Sequence, residues 1–137
     1  MKTIAISLAA LGDTEPLWRD WLDDAQRRFR VDVERMDDEL PNWRPLLTRF
    51  AEDRAPVYFR RDAEVSATLR RLRAGGIRIG VFSDAPEELA RIALSHLGAE
   101  RHVERLEAGP GAMERLSAAL GDDAKVVTTR QELLAVP

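Results

Sequence analysis

The side chains able to do chemistry are few, and they fall just after apolar runs. Ser7 follows Thr3 to Ile6, Ser83 and Asp84 follow Ile77 to Phe82, and Thr129 and Arg130 follow the run that begins at Lys125. A serine beside the positive end of a helix can donate to a phosphate-like anion, and a guanidinium can grip one through two parallel hydrogen bonds. Ser83, Asp84 (through its backbone), Thr129 and Arg130 are therefore candidates for holding a small anion. Each has a plainer alternative: Ser83 or Asp84 as a local helix cap, and Arg130 as a solvated surface charge. Ser7 has no histidine or lysine at a neighbouring strand end to take its proton, and an unactivated serine is inert. His96 lies in a helical pattern and His102 beside a turn, and both read as packed or surface residues. Cysteine is absent, which removes disulfide and thiolate chemistry and any zinc-finger spacing.

These candidates need a scaffold, and the composition supplies one. The 137 residues are 45% hydrophobic and 33% charged, enough apolar surface for one ordinary globular core and too little chain for two. A single domain over residues 1–137 is expected. The 24 acidic and 21 basic residues leave a net charge of −3, so no cationic excess points to nucleic acid. The apolar run from Thr3 to Leu11 is too short for a membrane span and lacks the flanks of a signal peptide. A soluble cytoplasmic protein with no membrane contact is the expectation.

The elements follow from periodicity. Thr3 to Leu8 is apolar on both faces and predicts a central strand of a parallel sheet. From Pro16 onward Leu17, Trp18, Trp21, Leu22, Ala25 and Phe29 recur at helical steps and predict an amphipathic helix. Asp32 to Pro56, with Pro41 and Pro45, predicts irregular joints around a short helical pattern at Leu46, Leu47 and Phe50, lying over the sheet edge. Asp62 can cap a helix carrying Val65, Leu69 and Leu72, which Gly75-Gly76 then stops. Ile77 to Phe82 predicts a second strand, followed by a turn in which Asp84 caps a helix with Glu87 three residues on. Leu89, Ile92, Ala93 and Leu97 share that helix's buried face. His102 to Leu106 predicts a third strand, Pro110 begins a helix with Met113, Leu116 and Leu120, and Lys125 to Thr129 a last strand before a short helix at Gln131 to Ala135. Strand and helix alternate throughout, so the fold class is α/β: a three-layer, Rossmann-like parallel sheet with helices on both faces. Ligands in such sheets sit at the carboxyl ends of the strands.

Two stretches carry a resemblance. Asp13-Thr14-Glu15-Pro16 with Leu17-Trp18, and Leu72 through Pro86 with its Gly75-Gly76, Val81-Phe82-Ser83-Asp84 core, are similar to the haloacid dehalogenase-like hydrolase superfamily. The first resembles the segment after that family's nucleophile loop, the second its helix, second strand and Ser/Thr motif. Residues at about 15–57 stand where many members carry a helical cap. The resemblance implies phosphoryl transfer by an aspartate nucleophile, with a second aspartate two residues on and Mg²⁺ held by carboxylates at the first and last strand ends. Here the nucleophile position falls on Ser7 or Ile6 and the acid/base position on Ala9 or Leu8, and neither register supplies a carboxylate. Glu107 to Gly111 lacks the family's lysine, and Val127 to Arg130 replaces its Gly-Asp pair. Ser83 alone matches.

The expectation is thus a degenerate member without the family's catalytic residues, needing no cofactor and acting by binding a protein partner or a small anion. The alternative is a divergent Mg²⁺-dependent phosphatase of a phosphorylated small molecule, with Asp13 or Asp84 recruited by a reshaped loop. Trp18, Trp21 and Phe29 form an aromatic stripe that either packs beneath the insertion or faces a partner, including a second copy of the chain in a homodimer.

Overall fold

A computed structural model describes residues 1–137. Strands β1 (Thr3–Ser7), β2 (Arg78–Ser83), β3 (Arg105–Ala108) and β4 (Lys125–Val127) form one four-stranded parallel sheet in the order β3-β2-β1-β4. β1 lies between β2 and β4, in register Ala5 to Gly80 and Ala5 to Val126. The helices are α1 (Glu15–Phe29), α2 (Met36–Glu39), α3 (Trp43–Tyr58), α4 (Ala63–Ala74), α5 (Glu87–His96), α6 (Ala112–Leu120) and α7 (Arg130–Leu134). None is long and apolar enough to cross a membrane.

Alternation along the central strands divides the core unequally. Ile4 and Ile6 of β1, with Ile79 and Val81 of β2, point into a large cluster built with α1, α3, α4, α5 and α7. On the other face Ala5 meets only Leu116 and Leu120 of α6, with Phe82 and Ala124 at the margin. That face carries small residues, Ala5 beside Gly80, and α6 rides close to the backbone as a result: a Cβ at Gly80 would lie 2.7 Å from Leu116 Cδ1.

Several boundaries differ from the sequence expectation, each for a local reason. β1 ends at Ser7, because Leu8–Ala10 turn into a short 3₁₀ segment closed by the Leu11 and Gly12 amides on the Leu8 carbonyl. The 42–59 region holds a helix of 16 residues rather than a short pattern between irregular joints. Pro45 sits in the first turn of α3, where its missing N–H would have had no partner. α3 packs mainly on α5 and α1 rather than over a sheet edge. His102 belongs to the Glu100–His102 turn and not to β3, which begins three residues later. β4 stops at Val127, and Thr129 caps α7 by accepting the Glu132 amide on its hydroxyl.

Candidate functional site

A cleft of about 420 Å³ opens where β1 and β2 end, as the strand-end rule for α/β sheets requires. β1 delivers Ser7 and, through the 3₁₀ turn, Ala9; β2 delivers Ser83 and Asp84. Two further elements complete the rim. The loop entering α1 contributes Asp13 and the first residue of α1 contributes Glu15, while the first turn of α6 contributes Met113 and Glu114.

Ser83 is 7% exposed, and its hydroxyl oxygen accepts the Ala85 amide at 3.1 Å, which tightens the turn out of β2. Its proton is still free to be donated. Asp84 does not cap the next helix: α5 starts at Glu87 with Pro86 in the cap position, so the expected cap and its Glu87 partner are out of register. Two hydrogen bonds from the Gly109 amide, to the carbonyls of Ser83 and Ala85, tie the β3 exit to this turn. Gly109 adopts φ +87° to make them, a conformation that favours glycine.

Thr129 and Arg130 do not reach the cleft. The Arg130 guanidinium lies 2.7 Å from Asp62 and 3.6 Å from Glu64, joining α7 to the start of α4. That guanidinium, with the amides of Val65 and Glu64, holds the Asp62 carboxyl below the usual carboxylate range. Thr128 and Thr129 hydroxyls both donate to Glu132, which lowers its carboxyl likewise. The anion candidates are therefore split: Ser83 and Asp84 line the cleft, whereas Thr129 and Arg130 are spent on structural contacts. The aromatic candidates divide as well. Trp21 is 1% exposed and edge-packed on Phe50 at 5.5 Å, so it offers nothing to a partner. Trp18 and Phe29 are half-buried against the same core.

Sequence reading missed two features. One is the charge of the rim: Asp13, Glu15, Asp84 and Glu114 line the cleft, and no lysine, arginine or histidine does. Asp13 accepts the Glu15 amide at 3.0 Å, and Glu15 pairs with exposed Arg19 at 3.3 Å, a contact of small energy. Arg115 stands close by in α6, but it is bound to Glu107 at 3.0 Å and to the carbonyls of Ala108 and Pro110. Arg115 and Arg105 together push the Glu107 carboxyl down. An acid in the first turn of a helix that leaves a strand end is the signal that would have found Glu114.

The second feature is an annex of about 370 Å³ that shares Thr14, Glu15 and Asp84 with the cleft. Its walls are mixed: Trp18, Leu22, Val33, Met36 and Trp43 supply the apolar part, and Glu34 and Asp37 add two further acids. Trp18 and Trp43 meet edge-on at 6.3 Å. The Trp43 indole N–H donates to Asp37 at 2.7 Å, and the Arg44 guanidinium lies 4.4 Å over its ring while pairing with Glu88 at 2.9 Å. Trp43 is thereby locked in orientation.

No known family profile matches the chain, and no curated protein is similar enough to be matched. Among solved structures, the chain is similar to the crystal structure of a protein provisionally assigned as a beta-phosphoglucomutase from Thermotoga maritima. The TM-score is 0.61 at 18% identity, covering 93% of this chain and 75% of that one. That likeness is one of fold: a parallel α/β sheet covered by helices on both faces. The family that the sequence resembles would hold a phosphoryl-transfer metal with carboxylates converging at the ends of the first and last strands. Ser7 and Ala9 occupy the first place and Thr128 to Arg130 the second, and no three acids or imidazoles in the chain converge as a metal site. The residues present do not fit that ion.

Proposed function

We propose that this haloacid dehalogenase-like chain does not transfer phosphoryl groups and acts by binding, with the cleft and its aromatic annex as the recognition site. The observation that carries the reading is the lining of the cleft: Ser7 and Ala9 stand at the β1 end, and four carboxylates face the space with no basic side chain among them. A phosphate dianion entering such a site meets uncompensated negative charge, and nothing anionic stands at the strand end to attack it. A neutral or positively charged molecule, or a partner side chain of that kind, meets the complementary field, and its apolar body can lie on Trp18 and Trp43.

The direct test is turnover of an aryl phosphate with Mg²⁺. No activity above buffer is expected; activity that co-purifies with the chain and vanishes with chelator ends this reading. A second reading keeps a specific observation in its favour, since Asp13 and Asp84 both line the cleft and a divergent phosphatase would recruit one of them. It requires Asp13→Ala or Asp84→Ala to abolish that same turnover.

A further inference from the structure

A separate cavity, of about 360 Å³, opens at the opposite end of the sheet, where α4 ends and β2 begins. Arg73, Arg78, Arg101, His102 and Glu104 line it. Arg78 and Glu104 cancel one another through two hydrogen bonds of 2.9 Å. Arg73 and Arg101, and Arg70 one turn before Arg73, have no carboxylate within 4.0 Å. Arg73 is held in place by donating to the Arg101 carbonyl, so the two side chains flank the same opening. Arg73 and Arg101 thus bring two uncompensated guanidiniums to one hollow, and its one carboxylate, Glu104, is already held by Arg78.

His102 supplies an independent observation. It is 8% exposed, and neither ring nitrogen has a hydrogen-bond partner in the protein. A buried imidazole carries at least one N–H donor, and leaving such a group unmatched is costly enough that a missing partner is the usual explanation. Burial, then Arg101, Arg73 and Arg70, hold its pKa below the ordinary histidine value. Two of these, Arg73 and Arg101, line the cavity and would face an anion held in it.

We propose that this cavity binds a small oxyanion of the phosphate class, gripped by the guanidiniums of Arg73 and Arg101, with His102 forming its inner wall. Planar guanidinium forks match such an anion, and the hollow accommodates one small molecule rather than a polymer. The site is separate from the strand-end cleft and does not depend on what that cleft binds.

The chain's two histidines make the test internal, because His96 does not line this cavity. Histidine ring signals are followed by NMR as a function of pH, in sodium phosphate and in sodium chloride of equal ionic strength. Phosphate is expected to raise the His102 titration midpoint saturably and to leave that of His96 where chloride puts it. Arg73→Gln and Arg101→Gln, both exposed positions, are each expected to weaken the phosphate response roughly tenfold or more, as loss of a charge-assisted hydrogen bond does. The proposal is overturned if His102 is indifferent to phosphate, if both histidines move together, or if the arginine variants respond like the parent.

Discussion

Replacing Gly80 by alanine tests how closely α6 is seated on the sheet. The added Cβ would stand 2.7 Å from Leu116 Cδ1 and 2.9 Å from Leu120 Cδ1. Carbon atoms in comfortable contact are about 3.5–4.0 Å apart, so the leucines must retreat by roughly 0.6–1.3 Å. Neither has free space to retreat into, since Leu116 is 0% and Leu120 7% exposed. Overpacking of this kind costs about 1–3 kcal/mol, against which alanine in a strand interior recovers about 0.5–1 kcal/mol of chain entropy. The net expectation is a loss centred on about 1 kcal/mol and no larger than about 2.5 kcal/mol, read as a urea midpoint lowered by roughly 0.5 M with an unchanged slope. Leu116→Val should recover part of this in the double variant, giving a coupling of about 0.5 kcal/mol or more. A Gly80→Ala protein as stable as the parent, or strictly additive effects with Leu116→Val, would show that α6 does not press on β2 as described. Because α6 also carries Met113 and Glu114 on the cleft wall, the same variant should loosen the site.

Asp62→Ala should cost about 1 kcal/mol in thermal or urea unfolding, because the carboxylate caps α4 at the amides of Glu64 and Val65, while its exposed pair with Arg130 adds little. Asp62 and Glu107 both have carboxyls held below their ordinary values, so their stabilisation is complete above about pH 4–5 and fades as acid protonates the folded form. Glu107→Gln should therefore flatten the acid side of a stability-against-pH curve; an unaltered curve would show that Arg105 and Arg115 do not stabilise the charged form. Trp21→Phe should be milder than Trp21→Ala, which is expected to cost about 3–5 kcal/mol, because the buried Trp21 indole N–H has no partner to lose. Equal losses in the two variants, measured by urea unfolding, would contradict that.

Much of the fold was legible because burial on both faces leaves a mark on the chain. Ile4 to Ile6 and Ile79 to Phe82 are short runs without a charged residue, rich in β-branched side chains and bounded by polar residues, the pattern of a strand covered on both faces. Asp62 could be read as a cap because its role is local. The misreadings arose where a distant contact decides. His102 looked like the start of a strand from its apolar neighbours, yet the packing of α4 and α5 on its turn fixes it outside β3. Asp84 looked like a cap, yet the Gly109 bonds to the turn set α5 two residues later. Among site residues, the strand-end rule found Ser7, Ala9, Ser83 and Asp84. It could not find the annex, whose Trp18 and Trp43 come from α1 and α3, separated in the chain by residues 30–42 with α2 among them. Nor could it see that Arg130, correctly placed after the last strand, would turn away to Asp62.

The charge of the cleft follows from the same rule that stabilises the helices. In a parallel α/β sheet the helices run opposite to the strands, so helix N-termini gather at the carboxyl ends of the strands and C-termini at the other end. Acidic side chains complement a helix N-terminus and basic ones a C-terminus. This chain follows that preference at the cleft end, with Glu15 in the first turn of α1, Glu87 and Glu88 in that of α5 and Glu114 in that of α6. At the other end Arg71 and Arg73 close α4, and Arg73 faces the arginine-lined cavity. A site built to hold a phosphate dianion needs those N-termini bare, because the partial positive charge of the helix is what the anion uses. Filling them with carboxylates favours helix stability and opposes anion binding at the same place. The polarity of one small protein, acidic where its sheet ends and basic where it begins, thus directs an oxyanion away from the strand-end cleft and toward Arg73, Arg101 and His102.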